Sequence, residues 1–303
     1  MSSSVNTDKG PLFSVVMNCY NSATYLREAI DSVFAQTYQN WEIVFWDNHS
    51  TDESAEIFNS YDDERLRYFL APEFTKLGHA RNLAVAQATG EWLGFLDCDD
   101  IWLPEKLESQ ANIIMHEESN LGLVFGQCLS MKSSDEVRSE WARRHHKYTN
   151  ETVLKTLPEG DIFERLLKFN FIPLVTAVVS KPAYHEVGGI SAHLEQGEDY
   201  ELFVKLAAQK KVRAVQDVIA LYRIHERNNS IGNDEKGFKE ILEIVGKYLP
   251  DTVAKNALRY QSTNFALMLI KGGNLKRSLH YFINRGSFLY LLVIIVRKFT
   301  RVI

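Results

Sequence analysis

Short apolar runs alternate with helical patterns along the first third of the chain. Each run is bounded by polar turn residues and predicts a buried strand. The four predicted strands are 13–17, 42–46, 66–70 and 92–96. Between them, apolar residues recur with helical spacing at 26–34, and 78–89 is also predicted to be helical. This alternation predicts an α/β fold with a parallel sheet covered by helices on both faces.

Polar residues indicate where the early helices begin. Asn21 and Ser22 can cap the first helix. The segment Ser-Thr-Asp-Glu at 50–53 fits a capping box, so the second helix is expected to begin there. Pro104 stands near the start of the helix that follows the fourth strand.

The second half of the chain is less regular. Extended segments are expected at 121–125, 128–132, 173–180, 212–215 and 218–224. The polar stretch 133–150 is rich in Arg and His and is expected to be a mobile loop, and 198–209 is expected to be a helix. After Gly232 the pattern is helical to the end, so two parts are expected, 1–232 and 233–303.

Composition and charge describe an ordinary globular chain with one asymmetry. Of 303 residues, 45% are hydrophobic and 24% charged, which argues against disorder and against a small disulfide scaffold. The net charge of −5 argues against a dedicated nucleic-acid binder. Residues 252–303 hold nine of the 34 Lys and Arg and none of the 39 Asp and Glu, so the first 251 residues carry a net charge of −14. An acidic body with a basic tail predicts different partners for the two parts.

Cysteine usage and hydropathy bear on the compartment. The three cysteines match no zinc or CxxC spacing, and an odd count is typical of free thiols in a reducing compartment. The first eleven residues lack the apolar core of a signal peptide. The longest strongly apolar run, 288–296, is shorter than the about 20 residues of a membrane-spanning helix. As a helix, 286–303 would show an apolar stripe beside basic residues, suited either to an anionic membrane surface or to packing on protein.

Polar clusters follow three of the four predicted strands. They are Asn-Cys-Tyr-Asn at 18–21, Asp-Asn at 47–48 and Asp-Cys-Asp-Asp at 97–100. Open α/β sheets bind ligands beyond the carboxyl ends of their strands. The three clusters are therefore expected to converge on one edge and form a site.

Asp97 and Asp99 face the same way if the strand continues through them. Two adjacent carboxylates repel each other unless a cation or hydrogen bonds offset their charges. A divalent cation bridging phosphate oxygens would do so, because hard cations prefer oxygen ligands. The alternative is a turn followed by a helix cap.

Four other side chains each allow two interpretations. Asp47 is either a turn residue or an acceptor for a ring N–H or a ribose hydroxyl. Asp199 opens a helix on its buried face and is either a cap or a general base. Arg81 opens a helix whose free N–H groups suit anions, or is a surface arginine. His225 is an ordinary histidine or a further metal ligand beside the carboxylates.

Taken together and in order, these motifs carry a family resemblance. They read Cys19-Tyr20-Asn21, Asp47 to Asp52, Gly78-His-Ala-Arg81-Asn82, Phe95 to Asp100, Gly197 to Tyr200 and Tyr222-Arg-Ile-His225. The set resembles the family 2 glycosyltransferases with a GT-A fold, over about 12–231. The resemblance implies a Rossmann-like, mixed and mostly parallel sheet flanked by helices, here with a C-terminal helical appendage.

On the donor side, the resemblance implies that Asp47 contacts the nucleotide base, usually uracil, with Tyr20 and Asn21 nearby. It implies that Arg81 and Asp97 hold the ribose and diphosphate. The donor would be a nucleotide-sugar, most simply a UDP-sugar.

On the metal and acceptor side, the resemblance implies that Asp99 ligates Mg²⁺ or Mn²⁺ and that His225 adds a metal or pyrophosphate contact. Asp199 would be the general base, Glu198 would lie near the acceptor, and Trp102 would line the sugar pocket. A single displacement would invert the anomeric centre.

The expected function is therefore an inverting, metal-dependent transfer of sugar to a hydroxyl of a glycan or lipid-linked acceptor. The expected location is the cytoplasm, peripheral on the inner face of the cell membrane. One alternative is a catalytically inactive glycan-binding or scaffold protein. The other is a sugar-1-phosphate nucleotidyltransferase, but it would need a Gly-rich, basic loop where this chain has Asn18 to Asn21. One departure from the family pattern is Asn48, where a second Asp is common.

Overall fold

The structure, a computed structural model, describes residues 10–117, 120–132, 137–138, 156–225, 234–274 and 277–278. In these residues the chain forms two compact units. The first contains Met1–Ile162 and Ile172–Asn228, and the second contains Phe163–Phe171 and Asn229–Ile303.

The first unit begins with the alternation of strands and helices that the apolar pattern predicts. Its elements up to the fourth helix are β1 (Phe13–Cys19), α1 (Ala23–Phe34), β2 (Trp41–Asp47), α2 (Ser54–Asn59), β3 (Leu66–Leu70), α3 (Leu77–Gln87), β4 (Trp92–Phe95), β5 (Ile101–Trp102) and α4 (Lys106–His116). The later elements are β6 (Leu121–Lys132), β7 (Val137–Arg138), a 3₁₀ turn (Leu174–Thr176), β8 (Val178–Ser180), α6 (Lys181–Glu186), α7 (Glu198–Ala207) and β9 (Lys211–Ile224). The second unit contains α5 (Phe163–Lys168), α8 (Asp234–Gly246) and α9 (Thr252–Lys271).

All the strands of the described residues join one sheet, in the order β3-β2-β1-β4-β8-β6-β9-β5, with β7 paired to β6. The pairs β3/β2, β2/β1, β1/β4 and β6/β9 are parallel, and β8 joins β4 to β6 by antiparallel pairing. The predicted mixed sheet with flanking helices is confirmed.

The core of the first unit lies between the sheet and the helices beside it. In α1, the helical spacing buries Leu26, Ala29, Ile30 and Val33 against the inward side chains of β1 and β2. Gly94 of β4 makes room in this core for the Trp102 ring, since a Cβ at that position would lie 2.7 Å from it.

Three local predictions were wrong in their bounds. Helix α2 begins at Ser54 rather than at Ser50, and 173–177 form a turn instead of the first part of a strand. The two late strands predicted at 212–215 and 218–224 are one strand, β9, with a break in its register against β6 between Val215 and Val218. The segment predicted as a mobile loop contributes β7, and its other residues lie outside the described ranges.

The second unit has its own small core. The rings of Phe238 and Phe265 stack with centroids 3.8 Å apart, and Leu242 and Leu269 complete the cluster. No helix within the described ranges is both long and apolar enough to span a membrane. The tail 286–303 lies outside these ranges.

Candidate active site

The carboxyl ends of β1, β2 and β4 converge, as predicted. Cys19 at the end of β1 pairs with Asp47 at the end of β2. After β4, the Leu96 N–H donates to Val16 O at 3.1 Å, and the Cys98 thiol donates to Asn18 O at 3.4 Å. The polar cluster at 97–100 therefore lies beside the end of β1. All three cysteines are free thiols.

The loops after β1 and β2 are joined by side-chain hydrogen bonds. Asn21 adopts a left-handed backbone with φ 52°, and its side-chain oxygen accepts from the Thr51 N–H at 2.7 Å. The Asp52 carboxylate accepts from the Ala23 N–H at 3.0 Å, at the start of α1, and from the Ser54 N–H at 3.0 Å. The predicted cap of α1 is thus supplied by Asp52 from the neighbouring loop rather than by Asn21 or Ser22.

Asp47 lies at the bottom of this edge, with 1% of its surface exposed. One carboxylate oxygen accepts from the Ser50 N–H at 2.7 Å and the other from the Tyr68 hydroxyl at 2.6 Å. Burial and, as the second cause, the Asp47 carboxylate raise the pKa of Tyr68. Each oxygen of Asp47 therefore accepts one hydrogen bond from the protein.

Arg81 connects the polar cluster after β4 to the start of α7. From the first turns of α3, its guanidinium donates to Asp97 at 2.9 Å and to Glu198 at 2.7 Å. The Arg81 side chain is 4% exposed and that of Glu198 is 7% exposed, whereas that of Asp97 is 41% exposed. Burial alone would lower the pKa of Arg81, but the two carboxylates outweigh burial and raise it. In this structure Arg81 is therefore a buried bridge between the buried Glu198 and the half-exposed Asp97, and not the surface arginine of the alternative interpretation.

Glu198 and Asp199 begin α7, where the helix dipole favours negative charge. The Glu198 Oε2 atom is buried and has no hydrogen-bond partner among the residues that the structure describes. Asp199 is partly buried and accepts from the Tyr200 N–H at 2.6 Å. Burial, followed by the Glu198 charge, raises the pKa of Asp199 to about 7, against the pull of Arg81. A carboxylate with this pKa can exchange a proton near neutral pH.

Asp99 and His225 also lie together. The His225 Nε2 atom is 2.8 Å from an Asp99 carboxylate oxygen, and the Tyr25 ring stacks on His225 with centroids 5.4 Å apart. Burial, followed by the negative charge of Asp97, raises the pKa of Asp99, while His225 opposes this shift.

Arg223 is a site residue that sequence reasoning did not single out. Its Nε–H donates to Asp99 O at 2.8 Å, and its backbone N–H donates to the buried Asp100 carboxylate at 2.9 Å. The same guanidinium pairs with Glu28 at 2.7 Å and lies over the Tyr25 ring. The sequence could have indicated Arg223 through the alternation of side chains at the end of β9. This alternation places Arg223 on the same face as His225, which follows the strand directly.

Trp102 does not occupy the place expected of it. Its side chain is 1% exposed, its Nε1–H donates to Val175 O at 2.9 Å, and its ring packs beside the buried Lys106 ammonium. The ring therefore belongs to the core and presents no face to a sugar in this structure. Tyr20, by contrast, is 51% exposed at the carboxyl edge.

Asp99 and His225 fit a divalent cation whose coordination shell is completed by other ligands. Within the described ranges, no three His, Cys, Asp or Glu side chains form a ready cage. Mg²⁺ commonly uses one or two carboxylates together with waters and substrate phosphates. Burial and, after it, the charge of Asp97 raise the pKa of Asp99, and a cation would offset both by stabilising the ionised carboxylate.

Sequence comparison finds a family and several relatives. The model of the family described as Glycosyl transferase family 2 matches residues 14–172. An uncharacterized glycosyltransferase of Rickettsia felis is 30% identical over 229 residues, which are 73% of this chain and 35% of the relative, so the chain spans about a third of that protein. The Escherichia coli UDP-Glc:alpha-D-GlcNAc-diphosphoundecaprenol beta-1,3-glucosyltransferase WfgD is 26% identical over 86% of this chain and 94% of its own length.

Solved structures show the same fold. Residues 1–349 of S. aureus TarS in complex with UDP-GlcNAc match with a TM-score of 0.68 and 18% identity, over 90% of this chain and 81% of that chain. The mannosyltransferase PcManGT from Pyrobaculum calidifontis, in complex with GDP-Man and Mn²⁺, matches with a TM-score of 0.64 and 17% identity, over 98% and 82%. The fold expected from the motifs, that of the GT-A glycosyltransferases, is confirmed.

Proposed function

This chain belongs to glycosyl transferase family 2, and we propose that it is an inverting, metal-dependent enzyme that moves a sugar from a UDP-sugar to a hydroxyl group. The observation that carries the proposal is the ion-pair network in which the buried Arg81 joins the half-exposed Asp97 to the buried Glu198, next to Asp199 with its pKa of about 7. A donor-side carboxylate and a proton acceptor are thereby held at one edge of the sheet.

The donor is proposed to lie on the loops after β1 and β2. Asp47, Tyr20 and Asn21 face the nucleoside, with Asp47 accepting from a ring N–H. Arg81 orients Asp97 toward the ribose and diphosphate side, because its own guanidinium is already engaged by carboxylates. TarS and PcManGT were solved with UDP-GlcNAc and GDP-Man, which supports a nucleotide-sugar as the donor class.

Asp199 is proposed as the general base. Its carboxylate accepts the proton of the acceptor hydroxyl while that oxygen attacks the anomeric carbon. The bond from this carbon to the diphosphate oxygen breaks on the opposite face, and the nucleoside diphosphate leaves with the bonding electrons. The anomeric centre is therefore inverted. Glu198 lies beside Asp199 and is proposed to help position the acceptor.

Asp99 and His225 are the residues that would hold Mg²⁺ or Mn²⁺. A divalent cation at this point would stabilise the negative charge that develops on the departing diphosphate. Arg223 holds the Asp99 backbone through its carbonyl, and Tyr25 holds the His225 ring, so both groups are fixed before any ligand binds.

The acceptor is proposed to be a glycan or a lipid-linked oligosaccharide. The relative WfgD, as its name states, acts on a diphosphoundecaprenol-linked sugar. The C-terminal segment 286–303 is proposed to contact anionic lipid at the inner face of the cell membrane, where such an acceptor would lie. Deletion of 289–303 should then move the protein from the membrane fraction to the soluble fraction. Binding of full-length and truncated protein to anionic vesicles at equal levels would contradict this assignment.

The proposed reaction is tested by incubating the purified full-length protein with individual nucleotide-sugars and Mn²⁺ and measuring release of nucleoside diphosphate. We expect release from one UDP-sugar, stimulation by acceptor, and loss of both when EDTA removes the metal. A nucleotidyltransferase would instead form pyrophosphate from a nucleoside triphosphate and a sugar phosphate. An inactive binding protein would be stabilised by the donor against heat without any turnover.

A further inference from the structure

Two exposed aromatic side chains meet at the carboxyl edge of the sheet. Tyr20 follows β1 and Phe74 lies in the loop between β3 and α3. Their side chains are 51% and 58% exposed, and their ring centroids are 4.7 Å apart at an interplanar angle of 57°. Two large aromatic rings with this much exposed surface are suited to packing against another flat aromatic or apolar surface.

The loop that carries Phe74 is held in place by Asn48. The Asn48 side-chain N–H donates to Thr75 O at 2.7 Å, and its side-chain oxygen accepts from the Thr75 N–H at 3.1 Å. Asn48 is 5% exposed, and its own backbone N–H donates to Cys19 O at 2.8 Å. The residue after Phe74 is therefore clamped to the ends of β1 and β2 by both halves of one amide.

An aspartate could not make this clamp. An ionised carboxylate only accepts hydrogen bonds, so it would face Thr75 O without a donor between the two oxygens. The asparagine at this position is thus explained by the loop it holds, independently of any direct contact with a ligand. Asp47, the residue directly before Asn48, lies at the same strand end, where Ser50 and Tyr68 hold its carboxylate.

Resting on the proposed function, we propose that Phe74 forms with Tyr20 the aromatic wall on which the donor's nucleobase stacks, and that Asn48 is the positioning residue for Phe74. A nucleobase offers a π-face to aromatic side chains whatever its edge carries. Phe74 and Tyr20 then supply stacking, while Asp47 supplies the polar contact to the base edge. Asn48 acts through the loop, because its amide is already satisfied by Thr75.

The proposal is tested by calorimetric titration of the full-length protein with UDP and, separately, with inorganic pyrophosphate, both in the presence of Mn²⁺. Stacking on aromatic rings is worth about 1–3 kcal/mol per base, so Phe74→Ala should weaken UDP binding by a factor of about 5 to 150. Its affinity for pyrophosphate, which has no base, should not change. Phe74→Tyr keeps an aromatic face and should bind UDP like the wild type.

Asn48→Asp keeps the size of the side chain, removes the donor to Thr75 and adds a negative charge beside Asp47. It should weaken UDP binding by about fivefold, with a smaller loss for pyrophosphate, because the added charge repels both anions but only UDP has a base to stack. In a transfer assay both Phe74→Ala and Asn48→Asp should raise the KM for donor and leave kcat nearly unchanged. The matched control is Met115→Ala, which alters a similarly exposed apolar side chain (51%) beside Gly10, before the start of β1.

Wild-type affinity for UDP in Phe74→Ala would overturn the proposal, and so would an equal loss of UDP and pyrophosphate affinity. If Asn48→Asp proves too unstable to purify, the Phe74 variants decide the result alone. A wild-type protein that binds pyrophosphate and Mn²⁺ but no nucleoside diphosphate would refute the proposed function together with this inference. Retained UDP binding in Phe74→Ala would refute this inference alone.

Discussion

Replacing Asp199 by asparagine should remove catalysis and at the same time stabilise the protein at alkaline pH. Burial and the Glu198 charge raise the pKa of Asp199 from its ordinary 3.8 to about 7. A carboxyl whose pKa is higher in the folded than in the unfolded state binds its proton more tightly when folded. The folded state therefore loses stability as the pH rises from about 4 to about 7, and above pH 7 the ionised group destabilises it fully.

The magnitude follows from the shift of about three pH units, which corresponds to about 4 kcal/mol if fully expressed. Asp199 is partly exposed and interacts with Glu198, so we expect about half of this in the measured free energy of unfolding. Asparagine resembles the protonated carboxyl in shape and lack of charge. Part of the loss is already complete at pH 5, so the stability difference between Asp199→Asn and wild type should grow by about 1 kcal/mol between pH 5 and pH 8.

The assay is chemical denaturation at both pH values, without metal or nucleotide, together with sugar transfer at pH 8. Transfer should fall by a factor of about a hundred or more, since general-base catalysis contributes about 10²–10⁴. Asp217→Asn, which alters an exposed carboxylate of β9, is the control and should show no such growth with pH. An Asp199→Asn variant whose stability difference is the same at both pH values would refute the burial argument. Unchanged transfer would remove Asp199 from the role of base.

Further outcomes follow from other buried charges. Arg81→Gln should lower the free energy of unfolding by about 3–5 kcal/mol, because it leaves Glu198 buried without its counter-charge; a thermal melt near the wild-type value would contradict the bridge. The acidic limb of kcat/KM against pH should have its midpoint near 7, since Asp199 must be ionised to accept a proton; a limb near 4 would contradict the pKa assignment. Lys106 is fully buried and burial lowers its pKa, so wild-type stability should rise with pH as this lysine loses its proton. Lys106→Met should be most stabilising at low pH, and parallel stability curves for the two proteins would contradict the lowered pKa of Lys106.

The sequence predicts the order of the first four strands and their helices. A helix or strand that buries one face has apolar residues at regular spacing along the chain, and this spacing differs between the two. The apolar spacing of α1 and the continuous apolar runs of β1 and β2 report only which side chains avoid water, and these elements lie where the pattern predicts them. The polar clusters at the strand ends converge because the strands are parallel, so their carboxyl ends share one edge.

The local sequence pattern gave wrong predictions where a side chain bonds to a residue that is distant in the chain. The capping box at Ser50 was a sound local prediction, but the Ser50 hydroxyl accepts from the Asn21 N–H at 3.1 Å and Asp52 accepts from the Ala23 N–H at the start of α1. These residues join two loops instead of starting a helix. Likewise, β9 continues through Gln216, where the sequence pattern breaks, because its register against β6 shifts to accommodate the extra residues.

By itself, the sequence determined the class of fold and the sheet edge at which the polar clusters converge. Both depend on local spacing and on the parallel strands that this spacing predicts. Only the tertiary structure decided how those groups interact. Arg81 and Glu198 are 117 residues apart in the chain yet 2.7 Å apart in space, and Asp99 and His225 are separated by 126 residues and by 2.8 Å. A contact of this kind leaves no period in the sequence. The same holds for the burial of Trp102 and for the raised pKa of Asp199, because both depend on what the rest of the chain places around them.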